Sequence, residues 1–171
     1  LNSMQSDFTI QRATAADAPA LLQYLKIVGG ETDNLSFGPE GVPLSPEEEA
    51  NYLAMQEAST DHVQYLAKSG DEIIGTASLN RKTGRMRHRG VFGISLKRAY
   101  WGCGAAQGLM EAVLDFAREN GFRQLNLEVR SDNLRAIRLY ESYDFQKLCT
   151  FPGFFQIGGT PIDFDLMNLD L

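Results

Sequence analysis

The chain has 171 residues, and its 16 basic and 22 acidic side chains give a net charge of −6, which argues against nucleic acid or an anionic membrane as a partner. Hydrophobic residues at 43% and charged residues at 22% suit a single globular domain over 1–171 with a core of its own. No apolar run approaches the ~18 residues of a membrane span, no signal-peptide segment is seen, and Cys103 and Cys149 form neither a C-x-x-C pair nor a His cluster, so the expected setting is reducing, cytoplasmic and metal-free.

Leu1-Asn2-Ser3 ahead of Met4 has the look of a cloning remnant. Phe8 to Arg12 alternates as a strand should. Thr14 to Asp17 matches a capping box, and the helix behind it carries Leu21, Leu22, Leu25 and Val28 on one face, with Gly29-Gly30 as its expected end. Glu31 to Pro43 is polar and rich in Gly and Pro, so it reads as a loop. Glu31, Asp33 and Glu40 in it read either as a solvated connector or as an acidic rim that receives an amine. Ser45-Pro46-Glu47-Glu48 is a strong helix start, with Ser45 as cap, Pro46 at the first position and Glu48 closing the box.

Three antiparallel strands follow, over Val63–Lys68, Glu72–Asn80 and Met86–Leu96, with turns at Ser69-Gly70-Asp71 and Thr83-Gly84. Arg85, Arg87 and Arg89 alternate on one solvated face of the third strand, and His62 and His88 suit surface or packing positions. Gly93 inside that strand signals a bulge or a close backbone approach.

The stretch from Gly93 to Glu111 organises the chain. A strand runs into a glycine-containing turn, and a helix leaves at about Gly104 with Leu109, Met110, Val113, Leu114 and Ala117 on one face. Helix N-termini offer unpaired N–H groups and a positive dipole end, and Gly102 and Gly104 let an anion approach the backbone. Asn120-Gly121 ends the helix, and Leu125, Leu127 and Val129 alternate with Asn126, Glu128 and Arg130 in a strand that should run parallel to the one before Gly102. Ser131-Asp132-Asn133 opens another helix, on which Asn133, Ala136 and Tyr140 share one stripe. Phe145–Phe155 and Pro161–Leu171 read as a closing hairpin about Gly158-Gly159-Thr160. Cys103 reads as a turn residue and Cys149 as a packing residue.

The phosphate loop can be tested against known patterns. A P-loop fails, since no Gly-Lys-Ser or Gly-Lys-Thr exists, and a dinucleotide fingerprint fails because Gln107 stands where its third glycine belongs. Trp101-Gly102-Cys103-Gly104-Ala105-Ala106 instead resembles the [Q/R]-x-x-G-x-[G/A] turn of the GNAT superfamily of N-acetyltransferases, with Trp101 in place of Gln or Arg. Leu127-Glu128-Val129-Arg130, Asn133, Ala136, Leu139-Tyr140-Glu141 and Phe145 resemble the second signature of that family, closest to its ribosomal-protein N-terminal acetyltransferase branch, with Asp144 where Gly is usual.

The resemblance implies an α/β (α+β) fold with a mixed, mostly antiparallel twisted sheet of about seven strands, four helices, and a splayed parallel pair formed by the fourth and fifth strands. It implies acetyl-CoA as co-substrate, with no metal. Its pyrophosphate would rest on the backbone of Gly102, Cys103, Gly104, Ala105 and Ala106 beside Trp101, and its pantetheine arm along Ile94, Ser95, Leu96, Asn133, Ala136 and Tyr140. Tyr140 would be the general acid and Glu128 the candidate base, with Glu31 and Asp33 as alternatives or as acceptor-binding carboxylates. The implied reaction is direct attack of a primary amine on the thioester, the amine belonging to a small molecule or a protein N-terminus. The alternative is a CoA-binding sensor of the same fold without turnover. The acceptor side draws on Glu31, Asp33, Phe37, Tyr52, Phe154 and Phe155, which suggests a partly aromatic, acidic pocket for a cationic amine. No nucleic-acid or membrane partner is expected, and a homodimer stays open.

Overall fold

A computed structural model of the chain describes residues 7–171, so the reading of Leu1 to Ser3 lies outside the described residues. Seven strands form one sheet: β1 (Thr9–Arg12), β2 (His62–Ser69), β3 (Glu72–Arg81), β4 (Arg89–Leu96), β5 (Gln124–Arg130), β6 (Gln146–Ile157) and β7 (Thr160–Asp170), in spatial order β1-β2-β3-β4-β5-β7-β6. Among the described residues only β4 and β5 pair in parallel; every other pairing is antiparallel. The four helices are α1 (Ala18–Glu31), α2 (Pro46–Gln56), α3 (Ala105–Glu119) and α4 (Leu134–Ser142).

Two apolar clusters cover the two faces of the sheet. On one face α3 buries Leu109, Met110, Val113 and Ala117 against Val63, Ala77 and Phe92, and against Leu125, Leu127 and Val129 of β5. The alternation in β5 explains this, because every second side chain of a strand points to the same face. On the other face α1 and α2 bury Leu21, Tyr24, Val28 and Leu53 against Leu66 and Ile73. Each fully buried aliphatic or aromatic side chain contributes about 1.5–3 kcal/mol. Ser45 caps α2 as expected, accepting from the Glu48 N–H at 3.1 Å while Glu48 accepts from the Ser45 N–H at 3.0 Å.

The structure differs from the sequence reading at several points. Gly29 and Gly30 do not end α1, which continues to Glu31. Gly29 is buried, and a Cβ there would collide with the Gly38 carbonyl, so this glycine serves a close approach of the following loop. The strand β4 begins at Arg89, because Gly84–Met86 forms a 3-10 turn that carries Arg85 away from the sheet. Arg87 lies beyond the strand too, and pairs with Asp61 at 3.1 Å. There is no bulge at Gly93 on the β3 side, where the register runs unbroken from Gly75↔Leu96 to Arg81↔Gly90. Cys149 is exposed on the edge strand β6, not packed, whereas Cys103 is half-buried in its turn. His62 meets Asn80 at 3.1 Å across β2 and β3, a packing position as expected.

Candidate active site

Strands β4 and β5 part company near their middles. Their parallel pairing covers Arg89↔Gln124, Gly90↔Leu125 and Val91↔Asn126, yet β4 runs on to Leu96 and β5 to Arg130. The direction of the freed backbone groups follows from the antiparallel ladder on the other side. Lys97 N–H donates to the Ile74 carbonyl at 2.8 Å, and Lys82 N–H to the Arg89 carbonyl at 2.9 Å. Bonded pairs alternate along such a ladder, so odd-numbered residues of β4 turn their backbone groups toward β3. Those of Phe92, Ile94 and Leu96 therefore face the gap beside β5.

The gap opens into a cleft of about 1060 Å³. The α3 end of it is the turn Gly102 to Ala106. Gly102 and Gly104 both lie in the left-handed region, with φ of 82° and 94°, and Gly104 is the N-cap of α3. The first turn of α3 leaves N–H groups without intrahelical partners. The Cys103 N–H is an exception to the expected cradle, since it donates to the Tyr100 carbonyl at 3.3 Å and Cys103 does not line the cleft. Ala105 is fully buried, so it offers at most its backbone.

Helix α4 supplies the opposite wall. Asn133 caps it, accepting from the Ala136 N–H at 3.3 Å, and Asn133, Ala136 and Tyr140 all line the cleft. Tyr140 is 6% exposed and packs edge-to-face on Phe92, with centroids 6.2 Å apart. Burial pushes its phenol well above the usual range, so it stays protonated at neutral pH. The helix ends in a Schellman arrangement: Phe145 N–H donates to the Tyr140 carbonyl at 3.1 Å and Asp144 N–H to the Glu141 carbonyl at 3.0 Å, with Asp144 left-handed at φ 71°.

Glu128 lines the cleft from β5, is exposed, and has no ion pair among the described residues. Its neighbour Arg130 instead grips Asp132 in a two-pronged contact, at 2.7 and 3.1 Å.

Glu31 and Asp33 sit elsewhere. They line a neighbouring groove of about 570 Å³ with Arg98, Asp132 and Arg135, outside the main cleft. The Glu31 carboxylate accepts from the Arg98 N–H at 3.2 Å, and its carbonyl accepts from the Arg98 guanidinium. Of the aromatic residues expected on the acceptor side, Phe154 and Phe155 line the cleft, whereas Tyr52 is half exposed on α2 and Phe37 packs under α1.

Several lining residues escaped the sequence reading. Arg135 reaches from α4 across to the α3 turn, its guanidinium 4.9 Å from the Trp101 ring and Nη2 3.8 Å from where a Gly102 Cβ would stand. One signal pointed to it: a cation in the first turn of a helix opposes the dipole and needs another reason to be there. Arg138, Phe164, Val28 and Leu35 also line the cleft. Ser95 accepts or donates at 2.9 Å to the buried Tyr24 hydroxyl, which ties β4 to α1. Among the described residues no group of three or more His, Cys, Asp or Glu side chains is placed to hold a metal, and no helix is long and apolar enough to cross a membrane.

The Acetyltransferase (GNAT) family model matches residues 32–145, more than half of the chain. The chain belongs to the GNAT family. N-alpha-acetyltransferase RimI of Mycobacterium tuberculosis is 33% identical over 107 residues, covering 61% of this chain and 65% of that protein. The chain thus spans less than two thirds of the length of this curated relative. A GNAT-family acetyltransferase from Streptococcus pneumoniae superposes with a TM-score of 0.93 at 28% identity, covering 96% of this chain and all of that one. The yncA protein of Salmonella typhimurium, a structure with its cofactor acetyl-CoA, superposes with a TM-score of 0.80 at 23% identity over 96% of this chain and 94% of that one, which bears on the fold. The splayed β4–β5 pair, the seven-stranded mixed sheet and the four helices are the GNAT fold, as the motifs implied.

Proposed function

We propose that the chain is an acetyl-CoA-dependent N-acetyltransferase that moves an acetyl group to a primary amine by direct attack in a ternary complex. The observation that carries this reading is the end of β4–β5 pairing at Val91↔Asn126 beside the N-terminus of α3. One cleft thereby joins an anion-binding helix end, free strand N–H groups and a buried phenol.

The residues present fit CoA. The N–H groups of Gly104, Ala105 and Ala106 would hold its pyrophosphate, and Arg135 adds charge there. The backbone of Ile94 and Leu96 and the side chain of Asn133 would hold the pantetheine arm. Acetyl-CoA supplies an activated acetyl thioester when bound. The Ile94 and Leu96 N–H groups are preorganised donors for developing oxygen charge. Glu128 takes the amine proton, and Tyr140 Oη holds a proton to give to a departing thiolate.

Thiol release from acetyl-CoA with a panel of amines and N-terminal peptides tests the reading. Transfer to at least one amine is expected. CoA binding with no turnover toward any of them would favour a binding module of the same fold. Glu128→Gln should lower kcat/KM about a hundredfold with the KM for acetyl-CoA unchanged; activity equal to the parent would remove Glu128 as base.

A further inference from the structure

We propose that the acceptor is a primary amine carried on an aromatic or branched apolar skeleton, seated in a chamber of Val28, Leu35, Phe154, Phe155 and Phe164 that faces Glu128. This rests on the N-acetyltransferase reading and narrows the cationic acceptor expected from the sequence to a monoamine on an apolar skeleton.

The chamber follows from sheet geometry. Residues directly opposite across a ladder share a face. Glu128 lies opposite Leu166 and Arg130 opposite Phe164, so Phe164 stands on the face of β5 that carries Glu128. The ring of Phe164 lies 4.2 Å from that of Phe155 and 4.9 Å from that of Phe154. The Phe154 and Phe155 rings stack at 5.7 Å. These rings gather where the β6–β7 register slips between Phe151 and Phe155, which is what re-aims them. From the other side α1 brings Val28, and the loop after it Leu35, to the same cleft. The Tyr24–Ser95 bond fixes α1 over this face of β4. Beneath, Gly93 leaves the floor open, since a Cβ there would meet only Ser78 Oγ within 4 Å.

The charges decide between acceptor classes. Among the described residues Glu128 is the only carboxylate lining the cleft, against Arg130, Arg135 and Arg138. One carboxylate can receive one amine. A second cationic centre in the chamber would find no second carboxylate among the described residues, since Glu31 lies in the neighbouring groove. An apolar skeleton instead buries its surface against three rings and two aliphatic side chains.

Calorimetric titration into CoA-saturated protein reads the chamber without turnover, and the transfer assay reads it with turnover. 2-Phenylethylamine and isoamylamine should bind at least tenfold more tightly than spermidine, and be acetylated with the higher kcat/KM. A peptide beginning with Phe separates a protein N-terminus from a free amine, since both present the same chemistry to the chamber. Phe155→Ala should weaken 2-phenylethylamine about tenfold while Phe155→Leu restores most of it and CoA affinity stays unchanged. Leu35→Glu, at a partly buried loop position packed on the α1–α2 cluster, should shift preference toward spermidine. Tighter binding of spermidine by the parent protein, or indifference of 2-phenylethylamine to both Phe155 variants, would overturn the apolar chamber. Amine binding with no acetyl transfer would overturn the enzymatic reading and leave the chamber standing.

Discussion

The Trp101 indole N–H donates to the Leu96 carbonyl oxygen at 3.1 Å. Trp101 stands where related turns carry Gln or Arg, and the bond gives its indole a polar role as donor. It takes up the Leu96 carbonyl at the end of β4, just where backbone groups face the cleft. Two guanidiniums also lie over the ring, Arg98 at 5.5 Å and Arg135 at 4.9 Å. It therefore links the last strand residue, the α3 turn and helix α4.

Trp101→Phe keeps a ring for the two arginines and removes the hydrogen bond. A net hydrogen bond is worth about 0.5–1.5 kcal/mol, which is roughly a twofold to tenfold change in equilibrium. CoA should bind weaker by that factor in calorimetry, with kcat little changed. An unchanged CoA affinity would mean that the Leu96 carbonyl is held without help from Trp101.

Tyr140→Phe isolates one proton. The ring keeps its place against Phe92 and Phe145, at 6.2 and 5.9 Å, so packing and CoA binding should survive. A general acid contributes about 10²–10⁴ in rate, so kcat should fall at least a hundredfold. A kcat equal to the parent's would take the proton donor away from Tyr140.

Acid should loosen the frame around the site before it affects the core. Burial alone would raise the pKa of Asp17 and of Asp165, but their partners outweigh it. Asp17 meets Lys68 at 2.7 Å and accepts from the Thr14 N–H at 2.8 Å. Asp165 accepts from Ser131 at 2.7 Å and Thr150 at 2.8 Å, tying the start of α4 to the hairpin. Both carboxylates are thus held below the usual 3.8. A lowered folded-state pKa adds stability above the unfolded value, and that stability is lost as pH falls through the folded value. Denaturant midpoints should drop below about pH 4. Asp165→Asn should be less stable at pH 7 and lose less on acidification; a loss as steep as the parent's would move the effect to other groups.

Asp144 holds the αL position at which α4 ends. A Cβ in that region costs about 1–2 kcal/mol, less for Asp than for most residues, and glycine costs about 0.5–1 kcal/mol in chain entropy. Asp144→Gly should therefore stabilise the fold by up to ~1 kcal/mol, a Tm rise of about 1–3 °C. Asp144→Ala should lower Tm instead. A lower Tm for the glycine variant would show that the aspartate side chain contributes more than its backbone strain costs.

Local chemistry made much of this molecule legible in advance. Strand β5 showed its period-2 alternation, α2 its Ser45 cap, and α3 its glycine-bounded start, because each depends on neighbours in sequence. What stayed hidden depends on partners far along the chain. Glu31 is an acid in a polar loop until Arg98, 67 residues on, takes its carboxylate. Phe164 is one apolar residue in a hairpin until a register slip sets it against Phe154 and Phe155. Asn133, Ala136 and Tyr140 were visible as a stripe because a helix fixes their spacing. Arg135 in the same helix was not, since its partner is a ring on another element.

Gly29 offers the clearest test of that distinction. In the sequence a Gly-Gly pair after an apolar helical face marks a helix end. In the structure the helix passes through it, and Gly29 is there so that the loop at Gly38 can lie against α1. The loop bearing Leu35 begins at Thr32, so its path depends on that contact. Gly29→Ala improves intrinsic helix propensity by about 1 kcal/mol, and on that ground alone should stabilise the protein. The clash with the Gly38 carbonyl acts the other way, because backbone cannot give as a side chain tip can. The clash should win: Tm falls, and the KM for the amine rises several-fold while CoA affinity, set at the far end of the cleft, is unchanged. A stabilised variant with an unaltered amine KM would mean that the loop does not need Gly29 to shape the acceptor wall.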